Sequence, residues 1–401
     1  MLASLRQSPG RLRPAALALA ALLLLTSLLV GAPARAAREY VSALLMEAES
    51  GQILVADNID REWIPASVVK LMLLLLAQEA IEDGRATPDD LVTATRRAQR
   101  QGGSQIFLGD GEQATLEKLL EAVAVGSAND AAVAVAVHLY GSADEAVKAM
   151  NARAASLGMA HTHYVNVTGL PERGPENHST ARDLSQLARV IVTEHPGVLG
   201  WTSRTWTRFR QGLVIPCTNV LLKEFEGMDG LKTGYHHKAH SNIVATAQRD
   251  GRRLIAVVLG SPSAGTRNRV ASRLLERGFR DWELVHALAA GEGFGDEFPV
   301  DHGWKATVPV LAGRPLAVAV PRGKGGDVRV RLGADATLEA PLDKGQVLGR
   351  IQAVLDGRVL ASVPALAGRT VSRSWISLPF GKEARVWPEL PSVEASGMGG
   401  R

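Results

Sequence analysis

The sequence predicts an α/β sandwich with a helical lobe inserted into it, followed by a small all-β domain. Three observations predict this. Strand-like segments lie far apart, at residues 41–56 and 231–259. Strongly apolar helical runs fill the interval between them. After Ala290 the chain becomes Val/Leu/Ala-rich, with strand-sized pieces broken by glycines at short intervals. At 401 residues there is room for two or three domains, and 46 % hydrophobic with 21 % charged residues is an ordinary globular mixture.

The N-terminus reads as a secretion signal over residues 1–36. Arg6, Arg11 and Arg13 precede an apolar run from Ala15 to Val30, and Ala34-Arg35-Ala36 fits a small-x-small cleavage site. The apolar run is short for a membrane span. An uncleaved anchor that holds the protein at the inner membrane is the alternative. The main domain is assigned to residues 37–285. It opens with a hairpin, Val41–Met46 and Gln52–Ala56 around Glu49-Ser50-Gly51. Pro65 then suits a helix start, and Val68–Ala77 is apolar nearly all round, which marks a buried helix with Ser67 at its mouth. Helices follow at Leu116–Val125, Ala131–Leu139, Ala143–Leu157 and Ala181–Glu194, with a polar loop at Tyr164–Ser179. Residues 201–222 suggest strands around Pro216.

Gly227–Gly230 reads as a turn into Leu231–Tyr235. Ser241–Ala247 and Arg253–Leu259 are strands joined at Asp250-Gly251, and Arg267–Trp282 is the last helix. Gly291, Gly293 and Gly295 mark a linker, residues 286–300. A β-rich domain is expected over residues 301–380, with strands at Val308–Leu311, Ala317–Val320, Val328–Leu332, Val347–Ala353 and Val359–Val363. Residues 381–401 read as a disordered tail.

Formal net charge is +4 and aromatic residues make up 4 %. Nucleic-acid binding would need a denser basic stripe with stacking aromatics, so it is set aside. One cysteine, Cys217, cannot form an internal disulfide and reads as a packing residue. His236, His237 and His240 lack a metal-ligand spacing and read as solvated loop histidines. No metal and no cofactor is expected.

Three words carry the chemistry: Ser67-Val-Val-Lys70, Ser127-Ala-Asn129 and Lys232-Thr-Gly234. A serine hydroxyl needs a base to become a nucleophile. Residues three apart share a helix face, so Lys70 can reach Ser67. Burial and a second cation, Lys232, would lower the lysine's pKa and let it accept the proton. Ser127 can relay a proton to the leaving amine, and Asn129 can hold Lys70 or the substrate amide. Lys232 suits a substrate carboxylate, Thr233 can add a hydrogen bond, and Gly234 permits close approach of a ligand backbone. The oxyanion hole is expected from the backbone N–H groups of Ser67 and Tyr235. Each word alone is better read as a cap or turn. The ordered trio behind a secretion signal is not.

The segments Met46–Gly51, Pro65–Lys70, Gly126–Asp130 and Asp229–Gly234 resemble the D-alanyl-D-alanine carboxypeptidases of the low-molecular-mass penicillin-binding protein class. The likeness runs from about residue 40 to 285 and continues more weakly through Pro321-Arg-Gly323 and Ala340–Gly345. It implies a penicillin-binding, β-lactamase-like transpeptidase fold with an antiparallel sheet, helices on its flanks and a helical lobe, then a β domain. It implies removal of the terminal D-alanine from peptidoglycan peptide stems through an acyl-serine, with β-lactams as inhibitors, in cell-wall remodelling.

By that likeness Ser67 is acylated, Lys70 accepts its proton, Ser127 is catalytic and Lys232 binds substrate. Arg267 looks placed to hold the substrate's terminal carboxylate. Tyr235 stands where relatives often have histidine, and the amphipathic C-terminal membrane helix of many relatives has no counterpart here. A soluble enzyme of the bacterial periplasm or cell exterior follows. Two rivals stand beside this reading. A β-lactamase would need a deacylating base, for which Glu172 and Glu176 lie in the right region but within no recognisable motif. A non-catalytic cell-wall-binding protein would leave intact motifs unexplained.

Overall fold

The computed structural model describes residues 38–171, 174–295, 297–333, 338–375 and 389–390. The expected signal segment, Glu172 and all of the tail except Glu389–Leu390 lie outside the described residues.

Five antiparallel strands form the central sheet: β1 (Ser42–Glu47), β2 (Ile53–Asp57), β3 (Met228–His236), β4 (His240–Arg249) and β5 (Arg252–Ser261), in the order β2-β1-β5-β4-β3. The N-terminal hairpin thus pairs with the last strand of the domain, as the spacing of strand-like segments predicts. Alternation along β1 separates two cores. Leu44 and Met46 face the helical lobe, and Ala43 and Leu45 face the opposite side. That opposite side is covered by Val270, Ala271, Leu274 and Leu275. These belong to the helix Ala264–Asp281, which starts three residues earlier than expected because Ser263 caps it and accepts the N–H of Thr266 at 3.1 Å.

The lobe is built on α1 (Lys70–Glu82), α2 (Leu116–Val125), α3 (Asn129–Tyr140) and α4 (Ala181–Glu194). Every residue of α1 from Lys70 to Ala77 is buried, in keeping with its uninterrupted apolar sequence. The strands expected around Pro216 are a short hairpin, Trp206–Arg210 with Leu213–Pro216. Among the described residues no helix is long and apolar enough to cross a membrane.

The β-rich part has its own core and begins earlier than residue 301. Trp282–Leu288 is a strand paired with Leu316–Pro321, so the segment 286–300 is not a free linker. Phe294 and Phe298 stack at 5.8 Å and are buried in the second core. Gly291 and Gly295, at φ 76° and 62°, turn the chain on either side of Phe294, and Gly293 bridges to Leu311. Four of the five expected strands start within a residue of the expected position, the last of them running on to Ala367, while Val308–Leu311 is split into Thr307–Val308 and Val310–Ala312, which pair with different strands; Val347–Leu355 and Arg358–Ala367 are the longest pair. Glu389–Leu390, expected within a disordered tail, pairs with Val330 and Arg331, where an edge strand offers unpaired backbone groups.

The two parts are joined by polar contacts to backbone. The Gln52 amide donates to Ala319 O at 2.9 Å and accepts Ala319 N–H at 3.1 Å. Arg322 donates to Phe279 O and Arg280 O at 2.9 and 2.8 Å, and within the main domain Arg252 donates to Gly278 O at 2.8 Å. These guanidinium groups satisfy the carbonyls at the end of the Ala264–Asp281 helix.

Candidate active site

Ser67 stands in a 3₁₀ turn, Ala66–Val69, that runs directly into α1. Three residues on, Lys70 is fully buried, as are the neighbouring Val68, Val69 and Leu71. Its Nζ lies 2.9 Å from Ser67 Oγ, 2.7 Å from Asn129 Oδ1 and 2.6 Å from the carbonyl oxygen of Thr168. The Asn129 amide is oriented by its other end, where Nδ2 donates to Gly102 O at 2.7 Å. Burial pushes the Lys70 amine well below its usual pKa, and the charge of Lys232 pushes it further, while Asp130 opposes the shift.

The second word lies where α2 ends at Gly126 and α3 begins at Asn129. Ser127 sits at φ 61°, and its buried Oγ has no hydrogen-bond partner among the described residues. Asp130, fully buried, accepts the N–H groups of Ile106 at 3.1 Å, Leu108 at 3.0 Å and Ala131 at 2.9 Å. Asn129 N–H donates to Ser104 O at 2.7 Å. The segment 102–108 is thereby strapped across the start of α3.

The third word lies inside β3, the edge strand of the sheet, as expected; the strand begins at Met228, within the segment expected as a turn. Lys232 is buried, and its Nζ donates to Thr233 O at 3.2 Å. Its pKa is pushed down to about 8, by burial first, with Cys217 opposing and Arg267 adding to the fall. Thr233 Oγ1 donates to Thr218 Oγ1 at 2.8 Å, which leaves its lone pairs free to accept.

Gly234 also packs against the Ser67 turn. A Cβ there would lie 2.5 Å from Pro65 O and 3.1 Å from the backbone nitrogens of Ser67 and Val68. The missing side chain lets β3 press on the serine's own turn. Tyr235 is 67 % exposed, so its side chain stands at the rim. Arg267 is buried, and its guanidinium donates to Asn268 Oδ1 at 3.0 and 2.8 Å and, weakly, to Asn242 O at 3.5 Å. Burial lowers its pKa to about 10. Among the described residues no carboxylate pairs with either Lys232 or Arg267.

Sequence reasoning missed the contribution of the polar loop. Thr168 offers a backbone carbonyl, which carries no side-chain signal in a sequence. Glu176 pairs with Lys238 at 2.5 Å, tying this loop to the β3–β4 turn. His236 is half-buried and not a solvated loop residue: its Nε2 is buried without a partner among the described residues, and burial lowers its pKa. His237 and His240 are exposed. Among the described residues no cluster of His, Cys, Asp and Glu could hold a metal ion. Cys217 is half-buried, packs at the edge of the main core and has its thiol pKa raised by burial.

The family model of D-alanyl-D-alanine carboxypeptidases matches residues 30–263, and that of the C-terminal domain of penicillin-binding protein 5 matches residues 282–373. The chain belongs to the D-alanyl-D-alanine carboxypeptidase family. The D-alanyl-D-alanine carboxypeptidase DacF of Bacillus subtilis (strain 168) is 33 % identical over 84 % of this chain and 87 % of its own. The crystal structure of penicillin binding protein 5 from Haemophilus influenzae superposes with a TM-score of 0.79 at 31 % identity, covering 85 % of this chain and all of that one. Penicillin-binding protein D2 from Listeria monocytogenes, solved in an ampicillin-bound form, gives a TM-score of 0.56 at 31 % identity over 61 % of this chain and 98 % of that one.

Proposed function

We propose that the protein is a serine-type D-Ala-D-Ala carboxypeptidase that removes the terminal D-alanine from peptidoglycan peptide stems and is acylated by β-lactams. The observation that carries this reading is the three-point coordination of Lys70 Nζ. A neutral amine has two N–H donors and one lone pair. Asn129 Oδ1, held by the bond from Nδ2 to Gly102, and Thr168 O can only accept. They take the two N–H groups, and the lone pair is left for the Ser67 hydroxyl. Lys70 is therefore the general base and Ser67 the nucleophile.

Attack on the D-Ala carbonyl develops an oxyanion, for which the backbone N–H groups of Ser67 and Tyr235 are the donors. The close seating of Gly234 on the Ser67 turn supports that pairing. The hydroxyl of Ser127, without a partner among the described residues, passes a proton to the departing D-alanine amine. Lys232, assisted by Thr233 and by the buried charge of Arg267, receives the substrate's terminal carboxylate. Two buried cations without a carboxylate partner among the described residues suit that anion. Water then releases the acyl group from Ser67.

The targeting pattern of residues 1–36 supports export, and the cell-wall substrate supports action in the periplasm or at the cell exterior. The test has two parts. The mature protein is incubated with a fluorescent penicillin and the labelled peptide is mapped. A diacylated peptide ending in D-Ala-D-Ala is then assayed for D-alanine release. Label on the Ser67 peptide together with D-alanine release is expected. A label on another residue, or no D-alanine, overturns the reading.

A further inference from the structure

We infer that Asn166 is a positioning residue for the general base: its buried carboxamide holds the peptide unit whose carbonyl coordinates Lys70. The inference rests on the reading of Lys70 given above. The carbonyl of Thr168 and the N–H of Gly169 belong to one peptide group. In a trans peptide these two dipole ends point in opposite directions. On one side Thr168 O meets Lys70 Nζ at 2.6 Å. On the other side Gly169 N–H donates to Asn166 Oδ1 at 2.8 Å. The amine and the carboxamide therefore grip the same plane from its two ends.

Asn166 is itself fixed on every side. Its Oδ1 also accepts from Thr168 N–H at 3.2 Å, from Thr168 Oγ1 at 3.3 Å and from Asn177 Nδ2 at 3.2 Å. Its Nδ2 donates to Leu170 O at 3.0 Å, which sets the orientation of the amide. Asn177 in turn accepts the N–H of Val165 at 2.9 Å. The turn is also wedged from below. Gly169 has φ +77°, and a Cβ there would lie 2.1 Å from Ala66 O and 2.8 Å from Ser67 N. The turn therefore lies directly against the backbone that carries the nucleophile. Rotating the 168–169 peptide would remove one of the two acceptors that direct the Lys70 lone pair at Ser67. Asn166 meets none of the reacting atoms in this arrangement and acts through Thr168.

The test compares Asn166→Ala and Asn166→Asp in the full mature chain. The carboxylate of the second variant keeps an acceptor for Gly169 N–H. The acylation rate constant with a fluorescent penicillin is expected to fall at least about tenfold, towards 10²-fold, in Asn166→Ala, with its non-covalent affinity and the peptide KM little changed. Asn166→Asp, which keeps that acceptor but loses the donor to Leu170 O, is expected to recover part of that loss. An unchanged rate in Asn166→Ala, an equal loss in both variants, or a loss confined to KM overturns the inference. A crystal structure of Asn166→Ala gives an outcome independent of activity. The Thr168 carbonyl should have left hydrogen-bond reach of Lys70 Nζ, and finding it in place overturns the inference even if the protein proves not to be a carboxypeptidase. Absence of D-alanine release from the unsubstituted protein bears on the parent reading alone.

Discussion

Gly234 presses on Pro65: a Cβ on the glycine would lie 2.5 Å from the proline's carbonyl oxygen. Through this contact the edge strand carrying Lys232 is held against the turn carrying Ser67. Both sides of the contact are backbone, so neither can yield by a rotamer change. Gly234→Ala should therefore force β3 away from the Ser67 turn. The acylation rate constant with penicillin is expected to drop by about 10²-fold, the usual effect of an ångström-scale misplacement of reacting groups. The circular dichroism spectrum should stay that of a folded protein. Wild-type acylation in this variant would show that the contact does not set the cleft.

Lys232 gives a pH signature to stability. Its folded pKa is about 8, below the roughly 10.4 of an unfolded lysine. Between those values the unfolded chain binds more protons than the folded one, so stability rises with pH across that window. Below about pH 8 the whole cost of burying the cation is present, roughly 3 kcal/mol for a shift of this size. Lys232→Met should abolish carboxylate binding and D-alanine release yet raise stability at pH 7. That gain should shrink as pH rises through 8 and vanish near 10.5. Urea denaturation at both ends of the range checks it, and a pH-independent gain would sink the argument.

Much of this was legible in the sequence because the chemistry-bearing residues sit on short, strongly patterned segments. The all-round apolar run after Ser67 predicts a buried helix, and a buried helix makes Lys70 a buried amine. Strand-sized apolar runs with alternating faces locate β1, β4 and β5 to within one to three residues. What escaped the sequence has physical reasons. The Thr168 carbonyl and the Asn166 carboxamide act through backbone groups that every residue type carries. The role of Gly234 depends on a neighbour about 170 positions earlier, which no local pattern encodes. The 286–300 segment has the composition of a linker because turn glycines flank Phe294, whose burial only the folded core reveals.

Asp130 joins folding to catalysis. Its carboxylate takes the N–H groups of Ile106, Leu108 and Ala131, and its charge raises the pKa of Lys70. In Asp130→Asn one acceptor oxygen becomes a donor that faces N–H groups. A loss of about 2–3 kcal/mol is expected, the cost of buried donors left unpaired. With the negative charge gone, Lys70 loses its proton at lower pH, because Lys232 then acts on it unopposed. The rising limb of the acylation pH profile should move towards acid. A limb that moves towards alkali would contradict the electrostatic assignment.

Glu176 separates the carboxypeptidase from a β-lactamase. The second reading needs a carboxylate that activates a water for fast deacylation. Glu176 Oε1 is paired with Lys238 Nζ at 2.5 Å, and its Oε2 is buried without a partner among the described residues. A carboxylate engaged in this way serves as a tether between loops and not as a water-activating base. Penicilloyl-Ser67 should therefore hydrolyse slowly, and Glu176→Gln should leave that slow rate within about twofold of the parent's, since a carboxylate that activates no water contributes little to deacylation. The release of fluorescent label from the acylated protein measures both. Rapid release by the parent, reduced by orders of magnitude in Glu176→Gln, would make Glu176 the deacylating base and the protein a β-lactamase.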